Sequence, residues 1–200
     1  MAQTAPAPDR SVSDRQDAIL DAAFHAFATY GFRRASMEDI ARGANLSRTA
    51  LYLRFRSKED IFRSLAERYF DEAVSDMATA LATPGRTVEQ ALASAFVAKD
   101  GKFMDAVLGT PHGSELMDAG FTISGDLAQA GEARMVSTLA DWLHLRPLPD
   151  GIGTPQEVAA TIMTALKGLK SQPGPLCDYR TGQARLARLF ARAIDTSPRI

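Results

Sequence analysis

From Ile19 onward, apolar residues return at intervals of three and four, and no stretch alternates convincingly with the period of a strand. The pattern therefore predicts an all-α chain, supported by abundant Ala and short β-branched runs. Ser13 followed by Gln16 reads as a capping box. It opens a first helix with the stripe Ile19, Leu20, Ala23, Phe24 and Phe27, which stops at Tyr30-Gly31. Ser36 with Asp39 repeats the start signal for a short second helix, whose inward face is Met37, Ile40, Ala41 and Ala44. Asn45 suits the left-handed conformation of a tight turn, and Ser47 caps a third helix through about Leu53. Ser57 and Asp60 then open a longer helix with Ile61, Phe62, Leu65, Tyr69, Ala73, Met77 and Leu81 on one stripe, halted by Pro84-Gly85.

Beyond that break, Thr87 and Gln90 start a stripe of Ala91, Leu92, Ala95 and Phe96 that Asp100-Gly101 interrupts. Gly109, Pro111, Gly113, Gly120 and Gly125 predict short helices and loops over residues 102–125, followed by a long helix over about 124–145. Thr154-Pro155-Gln156-Glu157 joins an N-cap, a first-turn Pro and a third-position Glu at the start of a helix carrying Val158, Ile162, Ala165, Leu166 and Leu169. After Pro173-Gly174-Pro175 a last helix is expected from about Asp178, with Leu186, Leu189, Phe190 and Ala193 aligned.

Composition narrows the function classes. The 200 residues are 46% hydrophobic and 24% charged with a net charge of −1, ordinary for a globular chain able to build a core. No apolar run approaches the roughly 18 residues that span a bilayer, and residues 1–10 lack an apolar signal region, so a soluble cytoplasmic protein is expected. The lone Cys177 excludes an internal disulfide framework and multi-Cys zinc patterns. It reads as a plain surface thiol in preference to a redox sensor. His25, His112 and His144 show no metal-site spacing, and phosphate-binding glycine loops are absent, so no cofactor is expected. An enzyme is not expected either: Gly113-Ser114-Glu115 is no nucleophile elbow, and the histidines form no legible triad.

The near-neutral total hides an asymmetry. Between Arg33 and Arg63 eight basic residues face four acidic ones, whereas residues 71–200 carry 12 basic and 15 acidic. A basic cluster within an acidic chain suggests a localised polyanion contact, the alternative being a solvated helical face. Two short helices and a tight turn lie inside that cluster, which matches the needs of a helix-turn-helix unit. Ile40, Ala44, Leu46, Ala50, Leu51 and Phe55 would seat the unit, leaving Arg48, Thr49 and Tyr52 outward. Arg48 can donate two hydrogen bonds to guanine, and Thr49 can offer a methyl or hydroxyl to a base edge. Ser36, Ser47, Tyr52, Arg54 and Lys58 complete the candidate DNA-binding set, with Ser47, Tyr52, Arg54 and Lys58 suited to phosphates.

At these residues the sequence resembles the TetR family of transcriptional regulators. The likeness runs from about Arg15 to Phe70 and rests on Ile19-Leu20-Asp21-Ala22-Ala23, Tyr30-Gly31-Phe32, Met37-Glu38-Asp39-Ile40-Ala41, Leu46-Ser47, Leu51-Tyr52 and Phe55-Arg56-Ser57-Lys58-Glu59. Asn45, Thr49 and Arg54 depart from the family's usual Gly, Gly and His, changes that bear on operator sequence. The resemblance implies a disordered tail over 1–12, a DNA-binding head over 13–72 with its motif at about 36–55, and a ligand-binding and dimerisation body over 73–200. It further implies a homodimer through about 155–170 and 178–194, reading a palindromic operator on double-stranded DNA.

A body of that size is more than a DNA head needs, and the resemblance implies that it encloses a small-molecule effector. Candidate pocket residues are Phe96, Phe103, Met104, His112, Met117, Phe121 and Trp142, with Met135 and His144 as further possibilities; ordinary core is the competing reading for each apolar one. The expected function is a ligand-responsive regulator, most often a repressor in this family. The alternative is a helical protein-interaction or ligand-binding module with little DNA binding.

Overall fold

The computed structural model describes residues 10–101, 104–105, 109–170 and 175–195. Among the described residues all regular structure is helical. In chain order the helices are α1 (Arg10–Tyr30), α2 (Met37–Gly43), α3 (Arg48–Tyr52), α4 (Lys58–Ala82), α5 (Val88–Ala98), α6 (Gly113–His144), α7 (Pro155–Lys170) and α8 (Leu176–Ile194).

Their ends follow local chemistry. At α2 the Ser36 side chain accepts from the Asp39 amide while Asp39 accepts from the Ser36 amide, a reciprocal cap. The same hydroxyl, followed by the Ser36 amide, holds the Asp39 carboxyl below its ordinary range. Thr87 and Gln90 form the equivalent box at α5, and Thr154 with Glu157 caps α7. Asn45 turns the chain between α2 and α3 at φ 54°, a conformation Asn tolerates better than most residues.

Three expectations are corrected. Helix α1 already runs at Arg10, upstream of the Ser13 cap, because nothing between them breaks the backbone ladder. Residues 113–123 form one helix without the loops expected among their glycines, and α6 breaks at Ser124, whose φ −132°, ψ 25° leave the helical range, so that a second helical segment runs on from there to His144, close to the expected start at about 124. A helical Gly costs only about 1 kcal/mol, which burial of Leu116 and Ala119 outweighs. The last helix begins at Leu176, ahead of Asp178, directly after Pro175.

By internal contacts the chain divides into two units, Met1–Ala66 with Thr110–Ser124, and Glu67–Gly109 with Gly125–Ile200. In the first, Ile19, Leu20, Phe27, Ile40, Leu51, Phe55, Ile61 and Leu65 are buried. The rings of Phe27, Phe32 and Phe62 meet at centroid distances of 5.2–5.7 Å. In the second, the stripes of α5, α7 and α8 close over Met77, Leu139 and Leu143. Gly182 lets α8 approach α7, since a Cβ there would stand 3.1 Å from Leu169.

Candidate nucleic-acid interface

The first unit presents α3 on a fixed mount. Leu51 is fully buried and Phe55 nearly so, while Ala44, Leu46 and Ala50 are half-buried around them. Ser47 caps the helix, its Oγ accepting from the Ala50 amide at 3.1 Å. At the other end the Leu53 amide donates to Thr49 O and the Phe55 amide to Leu51 O. Five residues are too few for a helix to hold alone, so anchoring at both ends sets its orientation.

What remains outward is Arg48, Thr49, Tyr52 and Arg54, all exposed. The Arg48 guanidinium lies 5.6 Å from the Tyr52 ring centroid, so the two form one cationic and aromatic face. Ser36 and Ser47 are exposed too, but both hydroxyls serve as helix caps. An exposed donor fork beside a phenol on a helix of major-groove width can meet both base edges and phosphates.

Lys58 stands differently from the sequence expectation of a phosphate donor. It is half-buried, and Nζ donates to Phe32 O at 2.8 Å, Arg33 O at 2.9 Å and Ala35 O at 3.3 Å, over the Phe32 ring. Its three donors are thus directed at the turn between α1 and α2. A second grip on that turn is Glu115, whose Oε1 accepts from the Arg33 amide at 2.6 Å. Gly31, at φ 79°, leaves room for it, since a Cβ would collide with the Glu115 carboxylate. His112 Nδ1 lies 3.9 Å from the same carboxylate. Sequence reading missed both grips, because contacts spanning 26 and 82 residues leave no periodic trace.

The expected pocket residues are dispersed. Phe96, Met135 and Trp142 share the buried core of the second unit, where Trp142 Nε1 donates to Leu81 O at 2.9 Å. Met104 is buried in that unit, and His144 is exposed. His112 and Met117 belong to the first unit and are half-buried. Phe103 lies outside the described residues, and Phe121 lies on α6 with its side chain outside them. Cys177 is exposed.

A short capped helix presented outward behind a tight turn, within a basic segment, defines a helix-turn-helix protein. Residues 19–65 match the family model described as bacterial regulatory proteins, tetR family. The HTH-type transcriptional repressor ComR of Escherichia coli is 32% identical over 126 residues, covering 62% of this chain and 59% of ComR. EthR of Mycolicibacterium smegmatis, an HTH-type transcriptional regulator, is 36% identical over 89 residues, covering 41% of this chain and 40% of EthR. The chain thus spans about three fifths or less of the length of these two relatives. Among solved structures, SmeT, the repressor of the Stenotrophomonas maltophilia multidrug efflux pump SmeDEF, superposes with TM-score 0.62 at 21% identity, over 92% of this chain and 93% of SmeT. The reduced form of E. coli NemR gives TM-score 0.68 at 15% identity, over 92% and 100%. These likenesses show a shared fold. Residues 19–65 carry the helix-turn-helix segment of the tetR family of bacterial regulatory proteins. Among the described residues no helix is long and apolar enough to cross a membrane.

Proposed function

We propose that this protein is a repressor that binds a palindromic operator as a homodimer and releases it when a small molecule occupies the body. The observation that carries this reading is the exposed Arg48–Tyr52 face on a helix anchored at both ends, within a segment of eight basic and four acidic residues. Arg48 and Thr49 read bases, while Tyr52 and Arg54 meet phosphates. Lys58 shapes the turn that supports them and reaches a phosphate only by giving up a carbonyl. Dimerisation through about 155–170 and 178–194 would set two heads about 34–36 Å apart, one turn of B-DNA. Support for ligand response comes from the body's size and from SmeT, which forms a complex with triclosan.

The mechanism is a two-state equilibrium between head spacings. A ligand preferring the mismatched spacing releases DNA by its affinity difference, and DNA weakens the ligand equally. Selection of bound sequences from randomised duplex DNA at two salt concentrations tests this reading. A recovered palindrome whose binding falls steeply with salt is expected. Recovery of no motif with or without a small-molecule library would overturn it in favour of a helical interaction module.

A further inference from the structure

The buried stripe of α5 does not end in apolar residues. Ala91, Leu92, Ala95 and Phe96 continue at the same helical spacing into Lys99 and Asp100, which follow the helix and are also buried. Asp100 Oδ1 pairs with Lys99 Nζ at 2.9 Å and Lys170 Nζ at 3.0 Å. Its Oδ2 accepts from Tyr179 Oη at 2.7 Å and Gln183 Nε2 at 2.6 Å, with Arg180 Nη1 at 3.6 Å. Those donors fill the carboxylate's acceptor capacity. Arg180 also holds Asp105 at 2.8 Å.

The charges do not balance. Three cations, Lys99, Lys170 and Arg180, meet two carboxylates, and of these Asp105 is exposed. Among the described residues Asp100 is the carboxylate that both Lys99 and Lys170 meet, and the two lysine head groups also stand close enough to act on each other. A buried positive charge in excess of its partners is costly unless another anion joins it.

The surroundings favour an organic anion. Tyr69 Oη donates to Lys99 O at 3.3 Å and Tyr179 Oη to Asp100, which sets two phenol rings beside the cluster, and Gln183 Nε2 also donates to the Phe96 carbonyl at 2.6 Å. Met104, buried as well, follows four residues after Asp100. Lys170 and Arg180 keep 21% and 25% of their side chains exposed, which gives the cluster a route to solvent. We infer that Lys99 and Lys170 hold the carboxylate of a small organic acid with an apolar body, a ligand that nothing else about this chain specifies. A monoanion matches the excess of one charge, whereas a phosphate dianion would exceed it. This inference rests on the effector reading of the body and gives that effector a chemical class.

The test is calorimetric titration of the full chain at constant ionic strength with benzoate and octanoate, against benzamide and octanamide as uncharged counterparts of the same shape. At least one acid should bind about tenfold more tightly than its amide, since hydrogen bonds to charged groups are the stronger kind. That preference should vanish in Lys170→Met and in Lys99→Met. The Lys99→Met chain should remain folded, because Asp100 keeps Lys170. Equal affinity for acid and amide, an acid preference surviving both substitutions, or no acid binding would each overturn the assignment. Release of the selected operator by an amide as readily as by its acid would overturn the anion site while sparing the effector reading. Acid binding that depends on both lysines but releases no operator would support the site and count against the effector reading.

Discussion

Replacing Asp100 by Asn removes the one carboxylate in the second unit that is fully buried among cations. The volume is unchanged and an amide still accepts through one oxygen, so the loss is electrostatic. Lys99, with 5% of its side chain exposed, and Lys170 would lose the counter-charge within 3.0 Å. Breaking a buried pair by removing one partner costs about 3–5 kcal/mol. For a chain of this size that corresponds to roughly 6–20 °C in Tm. Thermal and urea unfolding followed by circular dichroism would measure it. Asp100→Asn combined with Lys99→Met should recover part of the loss, because the second change removes one stranded ammonium. A drop below about 1 kcal/mol, or strictly additive effects in the double variant, would refute the reasoning.

Four other outcomes follow from particular contacts. Burial, then the Lys170 charge, brings the Lys99 pKa down to about 8 against the opposing pull of Asp100. Between about pH 8 and the ordinary 10.5 the folded chain sheds a proton that the unfolded chain keeps, so stability from this group rises with pH across that window. Urea midpoints from pH 7.5 to 9.5 should climb more in the wild type than in Lys99→Met, and parallel curves would count against the assignment. Burial raises the Tyr69 and Tyr179 pKa values, which confines the comparison to below pH 10. Arg48→Ala should cost about 1–3 kcal/mol on the selected operator and relax one base position, measured by fluorescence anisotropy on variant duplexes. Lys58→Met should lower stability by about 1–3 kcal/mol through the three carbonyls it abandons, and an unchanged Tm with lost DNA affinity would instead place Lys58 on phosphate. In Gly131→Ala the new methyl meets the Phe70 side chain, and overpacking of about 1–3 kcal/mol should exceed the roughly 1 kcal/mol gained in helix propensity, read as a lower Tm.

The helix-turn-helix unit was legible because its signals are local. Ser36, Asp39, Asn45 and Ser47 act within three or four residues of themselves, and their chemistry appears at those positions. In α6 the break at Ser124 falls where the long helix was expected to start, whereas residues 113–123 stay helical through Gly113 and Gly120 because burial of Leu116 and Ala119 offsets the glycine cost. Lys99 and Asp100 extend the buried stripe of Leu92, Ala95 and Phe96, whereas in sequence Asp100-Gly101 reads as its interruption. Reading them as core positions occupied by ions would have exposed the cluster, although Gln183 lies 83 residues away in sequence. The Lys58 and Glu115 grips on the turn were beyond reach, because a surface-type residue in a helix's first turn gives no sign of what it holds.

The anchoring of α3 separates what it recognises from what keeps it folded. Its stability comes from Ser47 at one end, Leu51 underneath and the Leu53 and Phe55 amides at the other, none of which needs a particular side chain at 48 or 49. Exposed substitutions at such positions usually move stability by no more than about 0.5 kcal/mol. On the proposed assignment of Arg48 and Thr49 to base edges, that edge is exchangeable: a library at the two positions would be retargeted to new operators while the mount stays intact.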